Sequence, residues 1–143
     1  MEIRHYQPSD LKKLLPLYVD LGYPTDKRSL EKRLSHLLKQ PNYQLQVALL
    51  DDQVVGFIGF SKMYFFERDG FYYRILALVV GKSYRHQGVA TSLIDHVKEV
   101  AHLEGACALA LNSGIRDERN EAHQFYQNYG FKQASYGFAL ELS

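Results

Sequence analysis

Apolar residues recur along this chain with two spacings, and the change from one to the other marks out its elements. Alternating or unbroken apolar runs predict strands at Ile3–Tyr6, Tyr43–Leu50, Val54–Phe66, Phe71–Val80 and Cys107–Leu111, with one or two more across Phe131–Leu142. Within the fourth, Ile75-Leu76-Ala77-Leu78-Val79-Val80 is apolar without a break, the pattern of a strand buried on both faces. Helical spacing joins Leu11, Leu14, Leu15, Tyr18 and Val19, then Leu30, Leu34, Leu37 and Leu38. It returns at Val89, Leu93, Ile94, Val97, Val100 and Ala101, and at Ala122, Phe125, Tyr126 and Tyr129. Pro8-Ser9-Asp10 and Thr25 are helix starts; Gln40-Pro41, Gly105 and Gly130 are stops. Pro16 predicts a kink or early end to the first helix. Gly56 and Gly59 predict a bulge or a close backbone approach in the third strand.

This order predicts a single α/β (α+β) domain over residues 1–143. Its mixed, mostly antiparallel twisted sheet of six to seven strands carries about four helices. Phe71–Val80 and Cys107–Leu111 are expected to be parallel neighbours, because the helix between them is a crossover.

Composition narrows the classes of function. A net charge of +1 gives no global electrostatic case for nucleic acid or an anionic membrane. No apolar run approaches the ~18 residues of a membrane span, and the start lacks the apolar segment of a signal peptide. The single cysteine, Cys107, excludes an internal disulfide and suits a reducing cytosol; its apolar surroundings predict a buried strand residue. A cytoplasmic protein is expected. His96 and His102 are six residues apart on one helix and face different ways, and no H-x-x-x-H or Cys/His cluster predicts a metal site. The second helix carries Lys27, Arg28, Lys32, Arg33 and Lys39 against Asp26 and Glu31, which reads as a solvated basic face.

The chemistry concentrates where the buried strand meets the third helix. Gly81-Lys82-Ser83-Tyr84-Arg85-His86-Gln87-Gly88 is a short loop, and Gly88 permits close backbone approach. Backbone N–H groups at a helix start, with the positive end of its dipole behind them, bind phosphate or pyrophosphate; Arg85 and Lys82 add charge. Gly81-Lys82-Ser83 also ends like a nucleotide P-loop, but the first glycine of that motif would fall at Leu76, inside the strand, so the match fails.

Arg85-His86-Gln87-Gly88-Val89-Ala90 resembles the R/Q-x-x-G-x-G/A signature of the GNAT superfamily of acyl-CoA-dependent N-acyltransferases. Ala122-His123-Gln124-Phe125-Tyr126-Gln127-Asn128-Tyr129-Gly130-Phe131 is similar to the A-H-x-F-Y-x-x-x-G-F pattern that closes many of them. The resemblance implies acetyl-CoA as acyl donor, with Leu78, Val79 and Val80 along its pantetheine arm. Arg85, His86, Gln87, Gly88, Val89, Ala90 and Thr91 would hold the pyrophosphate, and the two parallel strands would splay where the donor enters. Tyr126 would protonate the departing thiolate, a role that suits a neutral phenol. The implied function is acetylation of a primary amine by direct transfer in a ternary complex, the acceptor being a small molecule or a protein amine, and homodimers are common in the family. One departure keeps an alternative open, a non-catalytic acyl-CoA-binding sensor. The family's frequent strand glutamate has no counterpart in Arg74–Val80, leaving Glu67 and Asp69 as the nearby acids. The asparagine expected seven residues before Tyr126 is Arg119, with Asn120 one position off.

Overall fold

The computed structural model describes residues 1–113 and 119–142. In chain order the elements are β1 (Glu2–His5), α1 (Leu11–Leu21), α2 (Lys27–Leu38), β2 (Tyr43–Leu50), β3 (Gln53–Tyr64), β4 (Phe71–Val80), α3 (Val89–Glu104), β5 (Leu109–Leu111) and α4 (Asn120–Tyr129). Short 3₁₀ turns over Pro8–Asp10 and Lys82–Tyr84 lead towards α1 and α3. Met1–Ala110 forms one compact unit and Leu111–Ser143 a second.

The sheet has five strands in the order β1-β2-β3-β4-β5, and β1 to β4 pair antiparallel in sequence. β5 lies beside β4: Cys107 N–H donates to the Phe71 carbonyl at 2.8 Å, and Tyr73 N–H to the Ala108 carbonyl at 3.0 Å. These bonds advance in one direction along both chains, as parallel neighbours require. The expected six to seven strands are therefore corrected to five, because no strand occurs among the described residues after Leu111. Tyr136, Phe138, Leu140 and Leu142 alternate as a strand would, yet they are exposed. Alternation supplies one apolar face, whereas a strand also needs a partner for its backbone.

Each face of the sheet packs a separate layer. Leu11, Leu14 and Leu17 of α1 and Leu30 and Leu34 of α2 pack on Leu45, Val47, Leu49, Phe57 and Val79. The opposite face carries Ile58, Phe60, Tyr73 and Ile75, buried with Val89, Leu93, Ile94, Val97 and Ala101 of α3. Phe60 and Tyr73 meet edge to face at 5.5 Å between centroids. The Tyr73 hydroxyl donates to the Glu104 carboxylate, which also meets Lys62 at 3.3 Å.

A bulge in β4 decides which residues face which layer. Ile75 pairs with Phe60 and Ala77 with Gly59, leaving Leu76 as the extra residue. Before the bulge Tyr73 and Ile75 face α3; after it Ala77 and Val79 pack against α1 and α2. One extra residue thus exchanges the two faces of the strand and leaves Leu76 half exposed.

Local corrections have local causes. α1 continues through Pro16 instead of ending there. The carbonyl that loses its helical partner belongs to Lys12, an exposed residue that water can reach. Asp26, not Thr25, caps α2, its carboxylate accepting from Ser29 N–H at 2.8 Å. Cys107 is exposed rather than buried, because regular strand begins only at Leu109.

β1 is tied to the start of α1 by a half-buried charge pair, Asp10 buried and Arg4 partly exposed. Asp10 accepts from both terminal nitrogens of Arg4 at 2.8 and 2.9 Å and from Gln7 N–H at 2.9 Å. The Arg4 hydrogen bond foremost, with help from Gln7, holds the Asp10 carboxyl below its ordinary value. A depressed folded-state pKa contributes stability that is present above the unfolded value and lost as pH falls through the folded one. Asp10→Asn leaves Arg4 without its counter-charge and is expected to cost about 2–4 kcal/mol at pH 7. Denaturant titrations of both proteins at pH 7 and near pH 3 check this: the difference should shrink at the lower pH, and an equal difference at both would contradict it.

Candidate active site

The end of β4 and the start of α3 are locked together by a missing side chain. A Cβ added to Gly56 of β3 would lie 2.7 Å from the Val79 carbonyl, 3.3 Å from Val89 Cγ1 and 3.5 Å from Leu93 Cδ1. Only glycine lets β4 and the first two turns of α3 close on β3 at this point. Val80 pairs with Gly56 itself, and Gly81 N–H continues the ladder to the Val55 carbonyl at 2.9 Å.

From there the loop is fixed by its own backbone. Tyr84 N–H donates to the Gly81 carbonyl at 2.8 Å, and Lys82 N–H to Asp20 Oδ2 at 3.0 Å. His86 and Gly88 adopt left-handed φ values of 64° and 81°, an uncommon conformation for the histidine. Ser92 N–H to the Gly88 carbonyl, 3.0 Å, begins the α3 ladder. The N–H groups of Val89, Ala90 and Thr91 precede it, and Gly88 supplies no side-chain cap. Arg85, His86, Gln87, Gly88 and Thr91 are exposed around this helix start; Ala90 is half-buried. The Val89 side chain is buried, so only its backbone is available to a ligand. On β4, Leu78, Val79 and Val80 pair along one edge with Ile58, Phe57 and Gly56. This brings together the strand end, the loop and the helix start that the signature singled out.

Glu67 and Asp69 are not brought to this place. They lie beyond the far end of β4, before Phe71. Strand rise alone puts Phe71 on the order of 20 Å from Leu78. Among the described residues no group of three His, Cys, Asp or Glu side chains could hold a metal ion, and no helix is long and apolar enough to cross a membrane.

Two depressions flank α1. One, of about 510 Å³, runs from Lys13, Asp20 and Asp52 to Lys82 and Tyr84, with its charges balanced. The other, of about 690 Å³, is lined by Tyr18, Leu21, Gly22, Tyr23, Pro24 and Arg33 together with Leu76, the bulged residue of β4. The resemblance implied that the first two helices help wall the acceptor site, but sequence reasoning did not bring Leu76 and Arg33 together in this lining. Leu76 sat in a uniform apolar run, and the only hint was the Gly22-Tyr23-Pro24 turn between two helices.

In the second unit Tyr126 stands on α4, its ring 5.6 Å from Phe125 and 6.0 Å from Phe131. Burial pushes its hydroxyl pKa up, and the positive charge of Arg119 opposes that in part. The phenol is therefore protonated at neutral pH. Arg119 itself reaches Ser113 Oγ at 3.5 Å.

A mixed five-stranded sheet whose fourth strand runs through a glycine loop into an uncapped helix start defines an α/β protein of one recognisable family. The chain belongs to the acetyltransferase (GNAT) family, whose model matches residues 11–131. It is similar to the aminoalkylphosphonate N-acetyltransferase of Salmonella typhimurium, 28% identical over 142 residues, 99% of this chain and 91% of the relative. A GNAT family acetyltransferase from Staphylococcus aureus is 31% identical and superposes with a TM-score of 0.85, covering 99% of this chain and 98% of that one. An aminoglycoside 6'-N-acetyltransferase from Acinetobacter haemolyticus shares the fold at 18% identity, with a TM-score of 0.84 over 100% and 99% of the two chains. The protein is an acetyltransferase, as the two motifs implied.

The closeness at Gly56 yields a prediction. Gly56→Ala places a methyl group against the Val79 backbone, which cannot rotate away as a side chain could. Overpacking of this kind is expected to cost about 1–3 kcal/mol. Chemical denaturation should show that loss; stability equal to the parent would contradict the claim that only glycine fits at this point.

Proposed function

We propose that the protein transfers an acetyl group from acetyl-CoA directly to a primary amine while both substrates are bound. The observation that carries this is the uncapped start of α3, set at the end of β4 with exposed Arg85 beside it. Oriented N–H groups and a guanidinium suit the donor's pyrophosphate. Leu78, Val79 and Val80 would run along the pantetheine arm, whose amides can add to a strand edge as a peptide does.

The amine nitrogen attacks the thioester carbonyl, the carbon–sulfur bond breaks, and the thiolate leaves. Tyr126, kept protonated by burial, is the residue we assign to give that thiolate its proton. The acceptor's own proton passes to solvent, since Arg74–Val80 carries no acid and the free-amine form needs no base. Small amines are the natural acceptors to try first, given the relative named for aminoalkylphosphonates.

Two substitutions separate chemistry from binding. Tyr126→Phe removes one hydroxyl; kcat is expected to fall ~10–10³-fold with little change in acetyl-CoA affinity. Gly88→Val forces a β-branched residue into a φ of 81° at the phosphate loop. Acetyl-CoA affinity is expected to fall about tenfold or more, as the strained loop relaxes away from the conformation that presents its N–H groups. Calorimetric titration with acetyl-CoA and steady-state thiol release measure the two effects. Full turnover in Tyr126→Phe would remove the tyrosine from the mechanism, and full affinity in Gly88→Val would remove the loop from the donor site.

A further inference from the structure

The basic residues of α2 are all exposed, and one of them, Arg33, also lines a cleft. Arg33 turns to the cleft between α1, α2 and β4, where it is the only charged group in the lining. Its guanidinium carbon lies 5.7 Å from the centre of the Tyr18 ring, and one terminal nitrogen reaches Thr25 Oγ1 at 3.4 Å. Tyr18 is in turn braced by Phe57 of the core, 5.5 Å between centroids. Among the described residues Arg33 makes no ion pair; the nearby Asp26 carboxylate is engaged in capping α2 through Ser29. A cation held on an aromatic face, with its fork of donors uncommitted to a carboxylate, is suited to a planar or tetrahedral oxyanion.

The opposite wall of this cleft is Leu76. It is pushed outward by the bulge, two residues before the stretch of β4 assigned to the pantetheine arm. Two residues of strand span ~7 Å, so the cleft opens one small molecule's length from the reacting end of the donor. The charge pattern also excludes an occupant. An acceptor with several positive charges would meet Arg33 and the adjoining Lys27, Arg28 and Lys32 of α2, with no acid in the lining to receive it.

We infer that Arg33 makes this cleft select small primary amines bearing an anionic end, a phosphonate, phosphate or carboxylate. This rests on the N-acetyltransferase reading above and adds the substrate class to it. The anionic end sits on Arg33 with the Tyr18 and Tyr23 side chains beside it, and the amine points past Leu76 to the thioester. One nitrogen–carbon bond forms there as the carbon–sulfur bond breaks; the nitrogen releases one proton and the thiolate takes one up.

The test is acetyl-CoA-dependent thiol release with four matched amines of equal chain length: an aminoalkylphosphonate, an aminoalkylcarboxylate, an amino alcohol and a diamine. The parent enzyme is expected to prefer the anionic pair over the alcohol and the diamine by at least tenfold in kcat/KM. The phosphonate and carboxylate arms then say which oxyanion the site was built for. In Arg33→Gln the preference for the anionic amines over the alcohol should collapse by roughly 10- to 100-fold, mainly through KM. Arg33→Lys should restore part of it, and Arg33→Glu should turn it towards the diamine. Parent turnover that ignores the anionic end, or an Arg33→Gln enzyme with the parent's preference, would overturn this inference while leaving the acetyltransferase reading standing. Acetyl-CoA binding with no release on any amine would overturn that reading instead. Thermal melts and acetyl-CoA titrations of each variant keep a folding defect from being read as lost selectivity.

Discussion

The contact that the rest of the molecule depends on is the one made possible by Gly56. With no side chain there, the Val79 carbonyl and the first apolar residues of α3 converge on the same spot of β3. Val89 and Leu93 fill the space that a side chain would have taken, and both are buried. The start of α3 is thereby pinned against the end of β4, and the loop between them has little freedom left. Gly81 continues the sheet ladder, and Gly88 turns the chain into the helix. A helix start becomes a useful anion site only when it is held still, since oriented dipoles lose their effect if they must reorganise around a ligand. Packing on one face of the sheet thus fixes the loop at its edge.

The other face obeys a second constraint, the extra residue at Leu76. Without it β4 would keep one alternation throughout, and the side chains of Ala77 and Val79 would point at α3 instead of the α1 and α2 layer. The bulge lets one strand serve both cores and leaves its own residue exposed at the rim of the cleft beside Tyr18 and Arg33. Bulges commonly re-aim a side chain next to a site, and here the same irregularity closes the core and opens the cleft.

Much of this was legible in the residues. The four helices, the glycine-interrupted third strand and the strand–loop–helix with Arg85 and Gly88 all appear where spacing placed them, although Val19 and Leu38 of the apolar stripes are exposed. What escaped shares a physical cause: it depended on partners, not on pattern. The alternation at Tyr136, Phe138, Leu140 and Leu142 promised a strand, but only a neighbouring backbone could make one. Pro16 looked like a helix end, yet the bond it removes lies on a side open to water. Cys107 sat in an apolar run and is nevertheless exposed, because a run of that kind need not be regular strand along its whole length. The register slip at Leu76 was invisible because Ile75, Leu76, Ala77 and Leu78 are alike to any periodicity, and Arg33 was indistinguishable from its basic neighbours until the fold set it beside Tyr18 of α1.

The central claim is that the Gly56-seated junction of β4 and α3 holds the acyl donor. Its most direct test is amide NMR of the ¹⁵N-labelled protein titrated with acetyl-CoA. The account predicts that the largest shifts fall on Leu78 to Val80 and on Arg85 to Thr91, with Val89, Ala90 and Thr91 N–H moving downfield as they bond to phosphate. Saturable binding that leaves those amides in place and moves another part of the chain would contradict it.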